Sequence, residues 1–130
     1  MQILWTVCKQ FFWLILGSAS VSIWAGSIDG LTAACKALAP EVAADNVTIN
    51  NMLPERFDTD RQKMIAKMMM QMRSITFEEA RAEIANTIAA KRFGDPAEFG
   101  DACAFLCSAQ AGFISGQNLQ LDGGSYEGLI

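Results

Sequence analysis

The sequence predicts an α/β fold, in which helices and strands alternate along a single chain of 130 residues. Segments with apolar residues at three- and four-residue spacing, typical of helices, alternate with short β-branched segments bounded by polar residues. No internal repeat, low-complexity segment or Pro/Gly-rich linker interrupts this alternation, which indicates one continuous unit. Because 52% of the residues are hydrophobic and 18% are charged, the chain can bury a core.

Composition excludes several classes of function. The net charge is -4 and no basic run is present, so we do not expect a nucleic-acid partner. The sequence contains no His, which excludes Ser-His-Asp and Cys-His catalysis and removes the commonest metal ligand. The four cysteines form no C-x-x-C pair, and Cys103 and Cys107 share one helix face. They predict reduced, buried core thiols, no metal site and a cytoplasmic location.

The N-terminal part allows three interpretations. Residues 10–28 carry no formal charge, and Phe12–Leu16 is a short apolar run ended by Gly17. Such a run predicts a strand that is buried on both faces. A signal peptide with a small-residue cleavage site at residues 18–20, or a membrane anchor, is the alternative. The run is much shorter than the roughly 20 apolar residues of a membrane span, so we do not expect a membrane partner.

A helix and a strand are predicted next. Leu31, Cys35, Leu38 and Val42 recur at helical spacing, which predicts a helix over residues 28–44. Either Ser27 or Asp29 can cap its start, and Pro40 predicts a kink or an early end. The β-branched residues at 46–50 predict a strand, after which Met52, Leu53 and Pro54 lead into a turn.

The remaining segments predict three helices and a second strand. Residues 60–91 form a helical hairpin with a break at 74–76, where Thr76 and Glu79 make a capping box. The apolar residues of its first helix are either an adaptable lid over a substrate or one packed face; they are Met64, Ile65, Met68, Met69 and Met72. Asp95 and Pro96 begin a helix that runs to about residue 109. A strand at 118–121 and a turn at 122–124 follow.

Several of these segments together resemble the second half of the short-chain dehydrogenase/reductase family. The resemblance runs from about Gly30 to Gly124 and lies closest to 3-oxoacyl carrier-protein reductases. The motifs are residues 30–32 with 38–41, residues 47–50 with Pro54, residues 92–99 with 105–108, and Ile-Ser-Gly-Gln-Asn-Leu-Gln-Leu-Asp-Gly-Gly at 114–124. The last two motifs match the family in order and in spacing.

The resemblance implies a fold. It predicts the C-terminal half of a Rossmann-like, doubly wound parallel sheet, with about three parallel strands, flanking helices and a helical hairpin lid. Residues 30–130 correspond to that half, whereas residues 1–29 form a divergent segment that contains the possible strand. A strand of this kind at a sheet edge invites pairing, so we expect a homo-oligomer or a complementing chain.

The resemblance also implies a cofactor site for NAD(P). Asn50, Pro54 and Thr59 match family positions at the turn that contacts the nicotinamide. The family glycine after the proline is replaced by Glu55, whose bulk and negative charge oppose cofactor contact. The Gly-rich phosphate turn of the family does not occur in this sequence.

The catalytic pair of the family is also missing. The family uses a Tyr, with a Lys four residues later, as its general acid. Val21 and Ala25 occupy those two positions here, and neither side chain can transfer a proton. Ser18 and Ser20 are candidates for the family serine that polarises the substrate carbonyl.

Two functions follow from the resemblance. The first is a fragment or remnant of an NAD(P)-dependent short-chain oxidoreductase, inactive alone, with an unknown small-molecule substrate. The second is a non-catalytic oligomerisation or interaction module of the same fold.

Overall fold

The computed structural model describes the backbone of residues 19–128 and the side chains from residue 30 onward. The predicted strand at 12–16, Cys8 and Ser18 lie outside the described residues. Six main elements follow one another: α1 (Ala19–Val42), β1 (Asn51–Pro54), α2 (Asp60–Arg73), α3 (Phe77–Asn86), α4 (Pro96–Leu106) and β2 (Asn118–Leu121). Short 3-10 turns lie at Ala43–Asp45 and Ala109–Ala111.

The two strands pair side by side in a parallel sheet. The amide of Asn51 donates to the carbonyl of Gln117 at 2.8 Å, and the amide of Glu55 donates to that of Leu121 at 3.0 Å. Both partners advance by four residues, so the strands run in the same direction. This pairing confirms the α/β class and accounts for two of the roughly three strands that were predicted.

The chain divides into two compact units, and each strand contributes to both. Among the described residues, the first unit comprises 19–53 and 102–119, and its core contains Cys35, Ala39 and Ile49 with Val42 packed against them. The second unit comprises residues 54–101 and 120–128. Its core contains Ala66, Ala80 and Ile84, against which Ile65, Met69, Ile75, Phe77 and Phe93 pack.

Helix α1 begins earlier than predicted. The helix already includes Ala19 rather than starting near residue 28, so Ser27 and Asp29 lie within it and not at its N-terminus. A polar residue can cap a helix only when the residues before it leave the helix, and here they do not. The boundary expected between residues 29 and 30 therefore falls within a continuous helix. Pro40 lies inside α1, which continues to Val42 before a 3-10 turn, so the helix ends two residues before the predicted 44 but not at the proline.

Strand β1 lies later in the sequence than predicted. The β-branched residues Val47, Thr48 and Ile49 precede the strand, and Pro54 is its last residue rather than part of a turn. Thr48, Ile49 and Asn50 are buried as a strand would be. The position of β1 is set by its hydrogen-bond partners in residues 117–121. The sequence of residues 46–50 does not show where those partners lie.

The helical hairpin is confirmed together with its capping box. The Thr76 hydroxyl accepts from the Glu79 amide at 3.2 Å, while the Glu79 carboxylate accepts from the Thr76 amide at 2.8 Å. The hydrogen bonds that the Thr76 amide and hydroxyl donate to this carboxylate lower the pKa of Glu79. Helix α3 ends at Asn86 rather than residue 91, because the amides of Ala89 and Ala90 donate instead to Ser125 Oγ and to the Gly123 carbonyl.

The methionine face of α2 is divided between core and solvent. Ile65 and Met69 pack against the core of the second unit. Met64, Met68 and Met72, spaced by four residues, are 52%, 52% and 74% exposed. The apolar residues therefore do not form a single packed face. No helix within residues 19–128 has the length and apolar character that crossing a bilayer requires.

Helix α4 begins as predicted but ends earlier. Asp95 Oδ1 accepts from the Ala97 amide at 2.8 Å, and Pro96 takes the first helical position. The helix ends at Leu106 rather than 109, because the chain tightens into a 3-10 turn.

The prediction of buried thiols is correct only in part. Three cysteines in the described part are free, but only Cys35 is buried; Cys107 is exposed and Cys103 is partly buried.

We predict that Thr76→Ala lowers the free energy of unfolding by about 1 kcal/mol, because the first turn of α3 loses its cap. Urea denaturation followed by circular dichroism measures this change. Thr76→Ser, which keeps the hydroxyl, serves as the matched control and retains most of the stability. Equal stability of the two variants would show that the capping box contributes nothing.

Candidate functional site

The candidate site is the loop of residues 55–59, which joins β1 to α2 and is called the β1–α2 loop below. It follows the carboxyl end of a parallel strand, where α/β folds place their ligands. Two of the predicted cofactor residues border it: Pro54 ends β1, and Thr59 directly precedes α2.

Backbone hydrogen bonds tie this loop to the segment before α4. The Asp58 amide donates to the Gly94 carbonyl at 2.8 Å, and the Gly94 amide donates to the Arg56 carbonyl at 3.1 Å. They form a parallel bridge between Phe57 and Gly94. A Cβ on residue 94 would lie 2.8 Å from the Phe57 ring, so only glycine permits this approach.

A partly buried ion pair anchors the same loop to α3. Arg81 donates two hydrogen bonds to the Asp58 carboxylate, at 3.0 and 2.9 Å. Its guanidinium carbon lies 4.5 Å from the Phe93 ring centroid and 5.9 Å from that of Phe77. The Arg81 side chain is only 20% exposed. Bidentate pairing combined with stacking on aromatic rings is a geometry that Lys cannot reproduce.

The family-like motif at residues 92–99 supports the loop from the other side. Arg92 makes two hydrogen bonds to Glu98, at 2.8 and 2.7 Å, which span the start of α4. This pairing raises the pKa of Arg92 and, together with the bond from the Asp95 amide, lowers the pKa of Glu98 to about 2. The Phe99 ring packs edge-on against Phe57, with centroids 5.9 Å apart.

Glu55 and Arg56 give the loop its own charge pattern. Arg56 Nε lies 3.7 Å from Glu55 Oε1, and the Glu55 side chain is 52% exposed. The left-handed residue of this turn is Arg56, with φ of 58°, and not the position that carries glycine in the family. A non-glycine residue in that conformation costs roughly 1–2 kcal/mol.

Residues 114–117 of the last motif make hydrogen bonds to the residues just before β1. The buried Asn50 side chain donates to the Ile114 carbonyl at 2.8 Å and accepts from the Gln117 amide at 3.1 Å. Ser115 Oγ accepts from the Ile49 amide at 3.2 Å. Asn50, one of the predicted cofactor residues, therefore uses its amide and its carbonyl oxygen within the chain.

The turn after β2 is closed by one aspartate. The buried Asp122 carboxylate accepts from the amides of Gly124 and Tyr126, at 2.9 and 2.8 Å. Gly123 and Gly124 both have positive φ, at 65° and 79°. The Asp-Gly-Gly sequence thus forms the turn that the sequence predicts, because glycine adopts such angles without strain.

Thr59 is the predicted cofactor residue that fits a ligand best. Its Oγ1 atom is buried and has no hydrogen-bond partner, although the residue occupies the N-cap of α2. An unpaired buried hydroxyl costs free energy that a ligand group would recover. Asn50 has no such free atom, and Pro54 has no N–H to donate, so the three residues fit a cofactor only in part.

The predicted catalytic positions lie near the start of α1. The backbones of Val21 and Ala25 are one helical turn apart, as the family pair requires. Ser20 lies within the same helix, and its role as the family serine stays a prediction.

Two concave surfaces adjoin the β1–α2 loop. An open groove of about 630 Å³ is lined by Asp58, Arg81, Phe93 and residues of α3. Asp58 and Arg81 form the ion pair described above, so their charges compensate each other. A smaller pocket of about 150 Å³ lies beside Glu55 and Asp122, the residues that follow the two strands. Its other lining side chains include Phe57 and Leu121, so it is partly apolar. In the described part of the chain, no three His, Cys, Asp or Glu side chains cluster as metal ligands would.

Sequence reasoning missed the residues that shape this loop. Asp58 and Arg81 had no assigned role, and Phe93 entered only as part of the motif at 92–99; an acid in the loop and Phe77 one turn before Arg81 were the visible signals. Their meeting depends on how α3 packs, which short-range spacing does not reveal.

Comparison with known proteins identifies relatives. A family sequence model described as enoyl-(acyl carrier protein) reductase matches residues 17–126. The 3-oxoacyl-acyl-carrier-protein reductase FabG of Vibrio harveyi is 32% identical over 111 residues, covering 85% of this chain and 41% of the relative. The NADPH-dependent reductase BacG of Bacillus subtilis strain 168 is 34% identical over 96 residues, covering 74% and 37%.

A solved structure has the same fold. L-sorbose reductase from Gluconobacter frateurii, solved with NADPH and L-sorbose, superposes with a TM-score of 0.71 at 28% identity. The match covers 78% of this chain and 39% of that one. The chain thus spans about two-fifths of the length of the curated relatives it matches.

We predict that the Arg92–Glu98 pair adds stability that depends on pH. The pKa of Glu98 is lowered from 4.5 to about 2, so the pair contributes fully above pH 4.5. Its contribution falls as the pH drops toward 2, where the carboxylate takes up a proton. Thermal unfolding of the wild type and of Glu98→Gln between pH 6 and about 2 measures the difference, and parallel curves would contradict the assignment.

We predict that Arg81→Lys lowers the free energy of unfolding by about 1–2 kcal/mol, because one of the two hydrogen bonds and the ring stacking are lost. Arg73→Lys, at the exposed end of α2, is the matched control and changes stability little. Chemical denaturation measures both variants. A loss no larger than that of the control would show that the pair does not anchor the loop.

Proposed function

The chain belongs to the short-chain dehydrogenase/reductase family, and from that premise we propose that it is part of an NAD(P)-dependent oxidoreductase without catalytic activity of its own. The reaction class is hydride transfer between a nicotinamide and a carbonyl or hydroxyl group of a small molecule. The single observation that carries the proposal is the identity of the residues at positions 21 and 25 of α1.

Those two positions decide whether a proton can be moved. In the family a tyrosine donates the proton that the reduced carbonyl oxygen takes up, and a lysine one turn later lowers its pKa. Val21 and Ala25 carry neither an acidic hydroxyl nor a charge. A hydride acceptor held beside this helix would find no general acid at these positions, so this chain alone would not complete the reaction.

The β1–α2 loop supports the cofactor side of the proposal. Thr59 presents a hydroxyl that has no partner within the chain, and the loop before it is anchored by Gly94 and Arg81. When bound, the nicotinamide would supply or accept the hydride. Glu55 would place a negative charge near the anionic cofactor, which weakens binding. BacG is an NADPH-dependent reductase, and the L-sorbose reductase was solved in complex with NADPH.

A second candidate function is a non-catalytic module for oligomerisation. Leu31 and Leu38 lie two turns apart on α1 and are 37% and 46% exposed. Apolar side chains repeated along one helix face favour packing against another helix. The partner would be a second copy or a complementing chain that carries the Gly-rich phosphate turn. A cytoplasmic location agrees with the free thiols of Cys35, Cys103 and Cys107.

The test is a titration with NADPH and with NADH, followed by fluorescence, alongside an assay for NADPH consumption with 3-oxoacyl substrates. We expect weak binding and no turnover. Thr59→Val removes one hydrogen bond and weakens binding by about fivefold, which corresponds to about 1 kcal/mol. Thr87→Val, outside the loop, is the matched control.

Steady turnover by the chain alone would contradict the claim of inactivity. Unchanged affinity in Thr59→Val would remove Thr59 from the site. Sedimentation distinguishes the second candidate, because a stable monomer at every concentration would exclude an oligomerisation module.

A further inference from the structure

Two cysteines lie one turn apart at the end of α4. The Cys107 amide donates to the Cys103 carbonyl at 3.0 Å, so the two residues occupy successive turns on one helix face. Neither forms a disulfide, Cys107 is exposed and Cys103 is partly buried. Side chains at this spacing have Cβ atoms roughly 5–6 Å apart, within reach of a shared ligand.

The Cys103 thiol is less exposed than the Cys107 thiol. Burial, and to a lesser extent the neighbouring Cys107, raises the pKa of Cys103. Cys35 differs, because it lies in the core of the first unit and is 9% exposed.

The surroundings limit which ligand such a pair can hold. The sequence has no His, and no third His, Cys, Asp or Glu completes a cluster in the part of the chain that the structure describes. A structural zinc ion requires four such ligands. Soft centres that bind thiolates strongly and need only two protein ligands remain compatible.

We propose that Cys103 and Cys107 form a dithiol site for a thiophilic centre that takes two protein sulfur ligands, of the class of monosubstituted trivalent arsenicals. Two sulfur–arsenic bonds form, and the oxygen of the arsenical leaves as water with the two thiol protons. The oxidation state of arsenic and of sulfur does not change, so the step needs no oxidant or reductant. The site lies outside the β1–α2 loop and does not depend on the proposed oxidoreductase function.

The probe is phenylarsine oxide, applied to the whole chain in a Cys8→Ala background, in which Cys35, Cys103 and Cys107 remain. We expect one adduct per chain by intact mass, with two of the three thiols lost to a thiol reagent. A small dithiol should remove the adduct, whereas a monothiol at equal thiol concentration should not, because two linked contacts act together.

Single variants locate the site. Cys103→Ala and Cys107→Ala should each weaken the adduct by about tenfold or more, since one sulfur alone loses the chelate advantage. Cys35→Ala is the control and should leave the adduct intact. Circular dichroism checks folding, and Cys107→Ser provides a second variant at the exposed position. Retention of the adduct in either single variant, or an adduct that bridges two chains, would overturn the proposal.

Discussion

The parallel pairing of β1 with β2 is the constraint on which the remaining structure depends. Asn51 and Asn118, whose side chains hydrogen-bond at 2.9 Å, are 67 residues apart in sequence. Parallel strands need a long crossover connection, and here α2, α3 and α4 all lie within it. Closing so long a connection costs conformational entropy, which must be offset by the contacts that the crossover makes. The motifs at residues 92–99 and 114–124 supply many of those contacts.

Those motifs act through physical interactions rather than through chemistry on a substrate. Gly94 allows backbone contact with Phe57, Asn50 satisfies two backbone groups of residues 114–117, and Asp122 closes the last turn. The hydrogen bonds made at these positions replace bonds to water that are lost when the polar groups are buried. The resemblance to the family is therefore strongest where it preserves the framework of the β1–α2 loop. It is weakest at Val21, Ala25 and Glu55, where the chemistry of the family would be performed.

The sequence predicted local features well and long-range features poorly. The capping box at Thr76, the start of α4 at Pro96 and the strand at 118–121 depend on residues close together in sequence, and all three are confirmed. The predicted start of α1 near residue 28 was wrong, because Ser27 and Asp29 lie within a helix that already includes Ala19. The position of β1 was wrong because its hydrogen-bond partners lie downstream, where no local pattern at residues 46–50 records them.

The candidate site shows the same division. Thr59 and Pro54 were identified through the resemblance, and both border the β1–α2 loop. The Asp58–Arg81 pair was not identified, because it joins a loop to a helix 23 residues later and has no characteristic spacing. Three of the four cysteines fall in the described part, and burial was correct for Cys35 but not for Cys107. Helical spacing predicted that Cys103 and Cys107 share one helix face, but it did not predict that Cys107 is exposed to solvent.

The central claim is that residues at a distance in sequence hold the β1–α2 loop in one conformation. Amide hydrogen exchange of Glu55, Asp58 and Gly94 tests it most directly, because each of these amides donates to a carbonyl outside its own segment. The account predicts exchange that is slowed to nearly the same extent as in the paired strands. Exchange at the rate of an unstructured peptide would show that the loop is not held, and would contradict the account.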